Sequence, residues 1–320
     1  MTLTAVQLDR AVGAVVASAA GDALGSQYEF GPSLSDDTEV KFGRGHFGHA
    51  VGEWTDDTSM AVPILQALSR GDSFEDPAVL ARIVAEWREW ARDALDVGSQ
   101  TRAVLGMLDA DASEEAAVAA SRAVHDRSGR SGGNGSLMRT GPLALGYLTR
   151  DAADLAAAAG RVARLTHWEQ DNADACALWC LAIRHAILTG AVDVRAQLPW
   201  LPVERRERWA DLIDEALEPG AHPRDFAKDN GWIVRAFQGA LAATIGAVSL
   251  AVALERAVRG GNDTDTVAAI AGSLAGASWG ASALPAEWMP RLHGWPGLRA
   301  DDLSALARLA VANAPDSAHA

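Results

Sequence analysis

The chain has 320 residues, 49% hydrophobic and 22% charged, an ordinary globular composition with length enough to bury a large core in one or two domains. Its 28 lysines and arginines face 42 aspartates and glutamates, a formal charge of −14, which argues against non-specific nucleic-acid binding because like charge repels a phosphate backbone. Alanine dominates the hydrophobic share and strand-type alternation is scarce, so the expected fold is all-α: a single helical domain over residues 1–320, with no dividing linker and no long repeat.

A first helix is expected over about residues 5–20, with VGAVVASAA as its buried part. It lacks a basic leader segment and so does not read as a signal peptide. GDALGSQYEF follows, Gly21 to Phe30; its glycines predict a turn or a close backbone approach, with Asp22 and Glu29 around it. Residues 31–53 read as a long loop, a kind of segment that is often functional. WTDDTSM, Trp54 to Met60, opens the next helix, with Thr55 or an adjacent aspartate as N-cap and Pro63 in an early turn or at a kink. Further helices are expected at 76–96, 99–109 and 113–126, before the glycine-rich break GRSGGNGSLMRTG at 129–141.

Leu155, Ala158, Ala159, Val162 and Leu165 trace one helical face over 152–165, and another helix covers about 172–188. That second helix carries Cys176 and Cys180, spaced i, i+4 with no further soft ligand nearby. Two buried free thiols and a reducing cytoplasm are the expectation. Residues 191–231 are polar, with a helix at 203–217. The run Ala236 to Leu254 is uncharged and just long enough to span a bilayer. Its alanines and glycines, with Gln238, Thr244 and Ser249, favour instead a buried helix over about 232–258 that stops at Gly260-Gly261. NDTDT caps the next helix, in which Gly272, Gly276 and Gly280 form a small-residue ridge for close helix approach. A last helix is expected near 301–313.

Two acidic clusters carry the chemistry: Thr55-Asp56-Asp57-Thr58 and Asp263-Thr264-Asp265-Thr266. One carboxylate at a helix start is commonplace, because it caps free N–H groups and meets the positive dipole end. Adjacent aspartates repel each other, and Asp is a poor helix former beyond the cap. A divalent cation removes the repulsion, and Mg²⁺ and Mn²⁺ favour hard oxygen ligands such as carboxylate and threonine hydroxyl. Metal binding and plain capping both remain open on spacing alone. GGNGSLMR, Gly132 to Arg139, offers an anion nest or an ordinary turn. His167 stands near a helix start beside several acids, where it is either a satisfied polar residue or a ligand contact.

GDALGSQYEF, WTDDTSMA, GGNGSLMRTGPLAL, THW and GGNDTDTVAAIAG, in that order, resemble the ADP-ribosylglycohydrolase family over about residues 8–282. Its members include dinitrogenase reductase-activating glycohydrolases and ADP-ribosylarginine and ADP-ribosylserine hydrolases. The resemblance implies an all-α domain with two Mg²⁺ or Mn²⁺ ions in a cleft. It implies metal ligands at Thr55, Asp56, Asp57, Asp263, Asp265 and Thr266, and a mobile acid at Glu29. It places Gly133, Asn134, Gly135, Ser136 and Met138 on the loop cradling ribose and phosphates, His167 by the ribose and Trp232 near the adenine. Asn262, between Gly261 and Asp263, departs from many relatives and removes no ligand.

The expected activity is hydrolysis of the glycosidic bond at the distal ribose of an ADP-ribosylated side chain, arginine first and serine or a small ADP-ribosyl metabolite behind. Asp57 or Asp265 would be the base, and Glu29 would position substrate or assist the leaving group. A non-catalytic ADP-ribose-binding or structural homologue, and a binuclear-metal phosphoesterase acting on a nucleotide, are the alternatives. A monomer without membrane attachment is the default.

Overall fold

In the computed structural model residues 3–314 are described. The chain runs through α1 (Ala5–Gly25), α2 (Asp56–Ser69), α3 (Pro77–Trp90), α4 (Ser99–Leu105), α5 (Glu114–Ser128), α6 (Leu137–Thr140) and α7 (Leu143–Gly146). It continues through α8 (Ala152–Arg164), α9 (Gln170–Thr189), α10 (Val203–Leu217), α11 (Ile233–Ile245), α12 (Leu250–Arg259), α13 (Thr264–Trp279) and α14 (Ala300–Ala312). A small antiparallel hairpin, β1 (His293–Gly294) with β2 (Leu298–Arg299), precedes α14. The all-α expectation holds, and the apolar faces of the helices meet in one continuous core.

The centre of that core is the crossing of α1 and α13. A Cβ on Gly13 would lie 2.3 Å from Gly276 O, one on Gly21 2.1 Å from Ala268 O, and one on Gly272 2.2 Å from Ala17 O. The two backbones touch because those side chains are missing, so the predicted glycine ridge is real and its partner is the first helix. Gly280 lies outside the ridge, as the α13 C-cap with φ 89°. Of the turn or close backbone approach expected at Gly21 and Gly25, the structure has the close approach: there is no turn, and this stretch is the last part of α1. Both glycines are helical, and a Cβ on Gly25 would meet Asp265 Cα at 2.5 Å. Contact with α13 outweighs the helix-weakening tendency of glycine here.

The long apolar helix expected at 232–258 is two helices. Gly246 ends α11, and a Cβ there would lie 2.3 Å from the Arg256 guanidinium; Ser249 then caps α12 by accepting from Val252 N–H at 3.3 Å. Among the described residues no helix is long and apolar enough to cross a membrane. Cys176 and Cys180 are buried free thiols on α9, and burial pushes the Cys176 thiol up to about 11. The loop between α1 and α2 is pinned at both ends. Phe30 N–H donates to Asn262 O at 2.7 Å, Asn262 N–H returns to Gly31 O at 2.8 Å, and Trp54 N–H donates to His293 O at 3.0 Å.

Candidate metal centre

The site is assembled where the C-terminal half of α1 meets the N-termini of α2 and α13. Asp22, buried on α1, turns its carboxylate to the start of α2. Oδ1 accepts from Thr55 N–H and hydroxyl, both at 2.8 Å; Oδ2 accepts from Thr58 N–H at 2.9 Å and from its hydroxyl at 2.6 Å. The cap of α2 is therefore supplied by another helix, and Thr55 makes no side-chain cap bond of its own. Among the described residues Asp57 Oδ1 is buried without a partner. Among the described residues Asp56, half-buried, accepts only a long bond from Gly98 N–H at 3.3 Å.

At α13, Asp263 is the N-cap residue and Asp265 lies in the first turn. Asn134 Nδ2 donates to Asp263 Oδ2 at 2.7 Å and to Asn230 O at 3.0 Å. Asn230 Oδ1 accepts from Asp263 N–H at 3.1 Å and from Asn262 Nδ2 at 2.6 Å. Asn262 takes the left-handed conformation, φ 61°, which asparagine tolerates better than most residues. The paired strand segment Gly31–Asn262 then holds Glu29 over α13, next to Phe30 at φ 60°. Carboxylate oxygens of Glu29, Asp263 and Asp265 come within 4.8 Å of one another.

Burial pushes Glu29 up to about 9, and Asp96, Asp263, Asp56 and Asp22 add to the shift in that order. Burial likewise raises Asp56, Asp57 and Asp265 well above the usual carboxylate range, with neighbouring carboxylates as the next cause in each. Asp263 and Asp22 are raised by burial against several hydrogen bonds that pull down. Among the described residues none of these acids is ion-paired with Lys, Arg or His. Buried acids crowded together need a cation or protons. The unpartnered Asp57 Oδ1 and Glu29 Oε2, in an all-oxygen donor set, fit a hard divalent ion.

A sequence model of one family, described as ADP-ribosylglycohydrolase, matches residues 3–318. The chain belongs to the ADP-ribosylglycohydrolase family. It is 32% identical over 298 residues to the ADP-ribosylarginine hydrolase Tri1 of Pseudomonas putida (strain GB-1), covering 91% of this chain and 76% of that protein. It is 27% identical over 292 residues to the ADP-ribosyl-[dinitrogen reductase] glycohydrolase of Rhodospirillum rubrum, covering 89% and 90%. A solved ADP-ribosylglycohydrolase-related protein complex superposes with a TM-score of 0.72 at 28% identity, covering 98% of this chain and 100% of that one.

In this member of the family the segment 131–136 is held rather than loose. Ser131 N–H donates to Glu169 Oε1 at 2.6 Å, Asn134 N–H to Gly231 O at 3.0 Å, and Ile233 N–H to Gly132 O at 2.9 Å. The Asn134 N–H is thus unavailable to an anion nest. Ser136 is fully buried and accepts from Asn172 Nδ2 at 2.8 Å, and Met138 is buried; both sit in the wall behind the loop. Gly133 and Gly135 face the His167 ring. Trp232, 37% exposed, stands beside Gly132 as the N-cap residue of α11. Thr266 is buried at the α13 start, its N–H on Asp265 Oδ1 at 3.0 Å.

Nothing in the local sequence marks Asp96, and Asp22 reads there only as an acid beside a glycine; each is a lone acid whose importance lies in tertiary contact. Asp96 borders a cavity of about 560 Å³ that opens beside Thr55 and Asp56. Glu53, Glu89 and Asp93 add negative charge to it, the indoles of Trp54, Trp90 and Trp295 add aromatic wall, and Arg299 is its one arginine.

Proposed function

We propose that this protein is a metal-dependent hydrolase that frees ADP-ribose from a modified arginine side chain by cleaving the glycosidic bond at the distal ribose. The family and the relatives named for ADP-ribosylarginine and ADP-ribosyl-dinitrogen reductase support removal of ADP-ribose from protein. The observation that carries the finer reading is the acidic, indole-walled cavity running on from Thr55 and Asp56. A departing guanidinium is cationic and planar, and suits a carboxylate-lined cavity in which the partly exposed Trp295 indole offers a face. A serine hydroxyl has use for neither.

Thr55, Asp56, Asp57, Asp263, Asp265 and Thr266 would hold two divalent ions, Mg²⁺ or Mn²⁺, which supply charge neutralisation and polarisation of oxygen ligands. Asp57, through its unpartnered Oδ1, takes the proton of the attacking water; Asp265 is the other carboxylate suited to that role. Glu29, whose Oε2 has no partner among the described residues, would position substrate or assist the leaving group. Gly133 to Ser136 border the ribose and pyrophosphate, and Trp232 offers a face to the adenine.

The test is release of ADP-ribose from matched ADP-ribosyl-arginine and ADP-ribosyl-serine peptides with Mg²⁺, Mn²⁺ or EDTA. Metal-dependent release from the arginine peptide is expected. Tight ADP-ribose binding without release would make the protein a binder, and inorganic phosphate or a nucleoside monophosphate as product would make it a phosphoesterase.

A further inference from the structure

Arg139 is the buried cation that the site's chemistry does not use. It is 0% exposed, and among the described residues it has no carboxylate partner. Its guanidinium stacks on Trp87 at 4.2 Å, and its Nε has no acceptor. Its one short hydrogen bond runs from Nη2 to Thr166 Oγ1, at 2.6 Å. A buried guanidinium is costly to keep without a carboxylate, so what that single bond achieves is informative.

Thr166 Oγ1 also lies 2.7 Å from His167 Nδ1. A hydroxyl has one proton to give. Arg139 has only protons to offer, so it occupies a lone pair of Thr166 and leaves the hydroxyl proton to seek another acceptor. Among the described residues His167 Nδ1 is the acceptor in reach. The neutral ring then carries its own proton on Nε2. Burial and the Arg139 charge both hold the imidazole well below its usual pKa, so it stays neutral.

The Nε2 edge faces a space kept open by missing side chains. A Cβ on Gly133 would lie 3.2 Å from Nε2, and one on Gly135 would lie 3.4 Å from it. His167 is only 2% exposed, yet among the described residues Nε2 has no hydrogen-bond partner. The Nε2 edge, beside two glycines, is open to an acceptor from outside the chain.

We propose that Arg139 and Thr166 are positioning residues that lock His167 as an Nε2–H donor toward an oxygen of the bound ligand, a sugar hydroxyl or a phosphate oxygen. This rests on the reading that the Gly133–Ser136 loop borders the substrate. The hydrogen bonds run one way, Arg139 to Thr166 to His167 to ligand, and His167 supplies no proton to the reaction. The arrangement favours an acceptor oxygen and disfavours an ammonium or amide donor at that spot.

The test begins without ligand. In the side-chain ¹H–¹⁵N spectrum of histidine-labelled full-length protein, His167 is expected to show a protonated Nε2 and a bare Nδ1 from about pH 6 to about pH 8. A protonated Nδ1, or a cationic ring, would overturn the proposal. Thr166→Val keeps the shape and removes the hydroxyl. It is expected to mix the two tautomers and to raise KM for an ADP-ribosyl-arginine peptide about tenfold, with kcat and the melting temperature little changed. Thr166→Ser should restore both the spectrum and KM. A Thr166→Val protein with the wild-type histidine pattern, or with an altered pattern and unaltered KM, refutes the relay. If Arg139→Met does not fold, the threonine pair carries the test alone. Should no ADP-ribosyl peptide be turned over, the proposed function has failed, while the ligand-free spectrum still decides whether the tautomer is locked.

Discussion

Asp57 and Asp22 differ in what they touch, and so in what their loss should do. Asp57 has a buried oxygen with no partner. Asp57→Asn is therefore expected to cut ADP-ribose release by roughly 10²–10⁴-fold with an unchanged circular-dichroism melt; an active variant would remove Asp57 as the base. Asp22 gives all its capacity to Thr55 and Thr58. In Asp22→Asn the amide NH₂ would face two of those donors. We expect a loss of about 1 kcal/mol in stability by thermal melting and a ~10–100-fold weaker Mn²⁺ affinity by calorimetry, because the turn that carries the proposed ligands Thr55, Asp56 and Asp57 has lost its support. Unchanged Mn²⁺ affinity would confine Asp22 to capping. The paired acids were legible in the sequence because two aspartates at each of two helix starts are hard to explain by capping. Asp22 and Asp96 were not legible in that way. Nothing within a few residues of Asp22 shows that its partner is 33 positions away.

The glycines of α1 and α13 set how near the two acid-bearing segments can come. Gly25→Ala would drive a methyl into Asp265 Cα, and Gly276→Val would drive one into Gly13 O, each against backbone rather than a movable side chain. Such overpacking is expected to cost roughly 1–3 kcal/mol. For Gly25→Ala we further expect activity to fall by more than the melting temperature suggests, since the displaced atoms belong to the α13 acid turn; activity that merely tracks the folded fraction would contradict this. Much of the helical layout could be read from periodicity and caps, as at Val203–Leu217, which the structure reproduces. Two features could not. An α1 that runs on through Gly21 and Gly25 depends on a partner helix that local propensity does not see. The break between α11 and α12 lies in a run whose hydropathy is continuous, and its local signals, Gly246 and the capping Ser249, do not interrupt that apolar pattern.

Across the molecule, the formal charge of −14 hides an uneven distribution, because the acids of the cleft are buried where water cannot spread their charge. Their folded-state pKa values are raised, Glu29 to about 9. Between the ordinary carboxylate range and that value the unfolded chain has released protons that the metal-free fold retains, so metal-free stability falls as pH rises through this window. Melting after EDTA treatment should thus occur at a lower temperature near pH 8 than near pH 5.5, and Mg²⁺ or Mn²⁺ should restore more stability at the higher pH. A pH-independent melt would show that these acids are not stressed. The crossing of α1 with α13 also bears on how the protein is made. The Thr264 hydroxyl bonds to Gly25 O across 239 positions of sequence. At ordinary elongation rates α1 leaves the ribosome on the order of tens of seconds before α13 exists. Through that interval its bare glycine face has no docking partner, although Asp22 can already meet Thr55 and Thr58, and any chain whose synthesis stops short of α13 lacks the second of the two acid clusters.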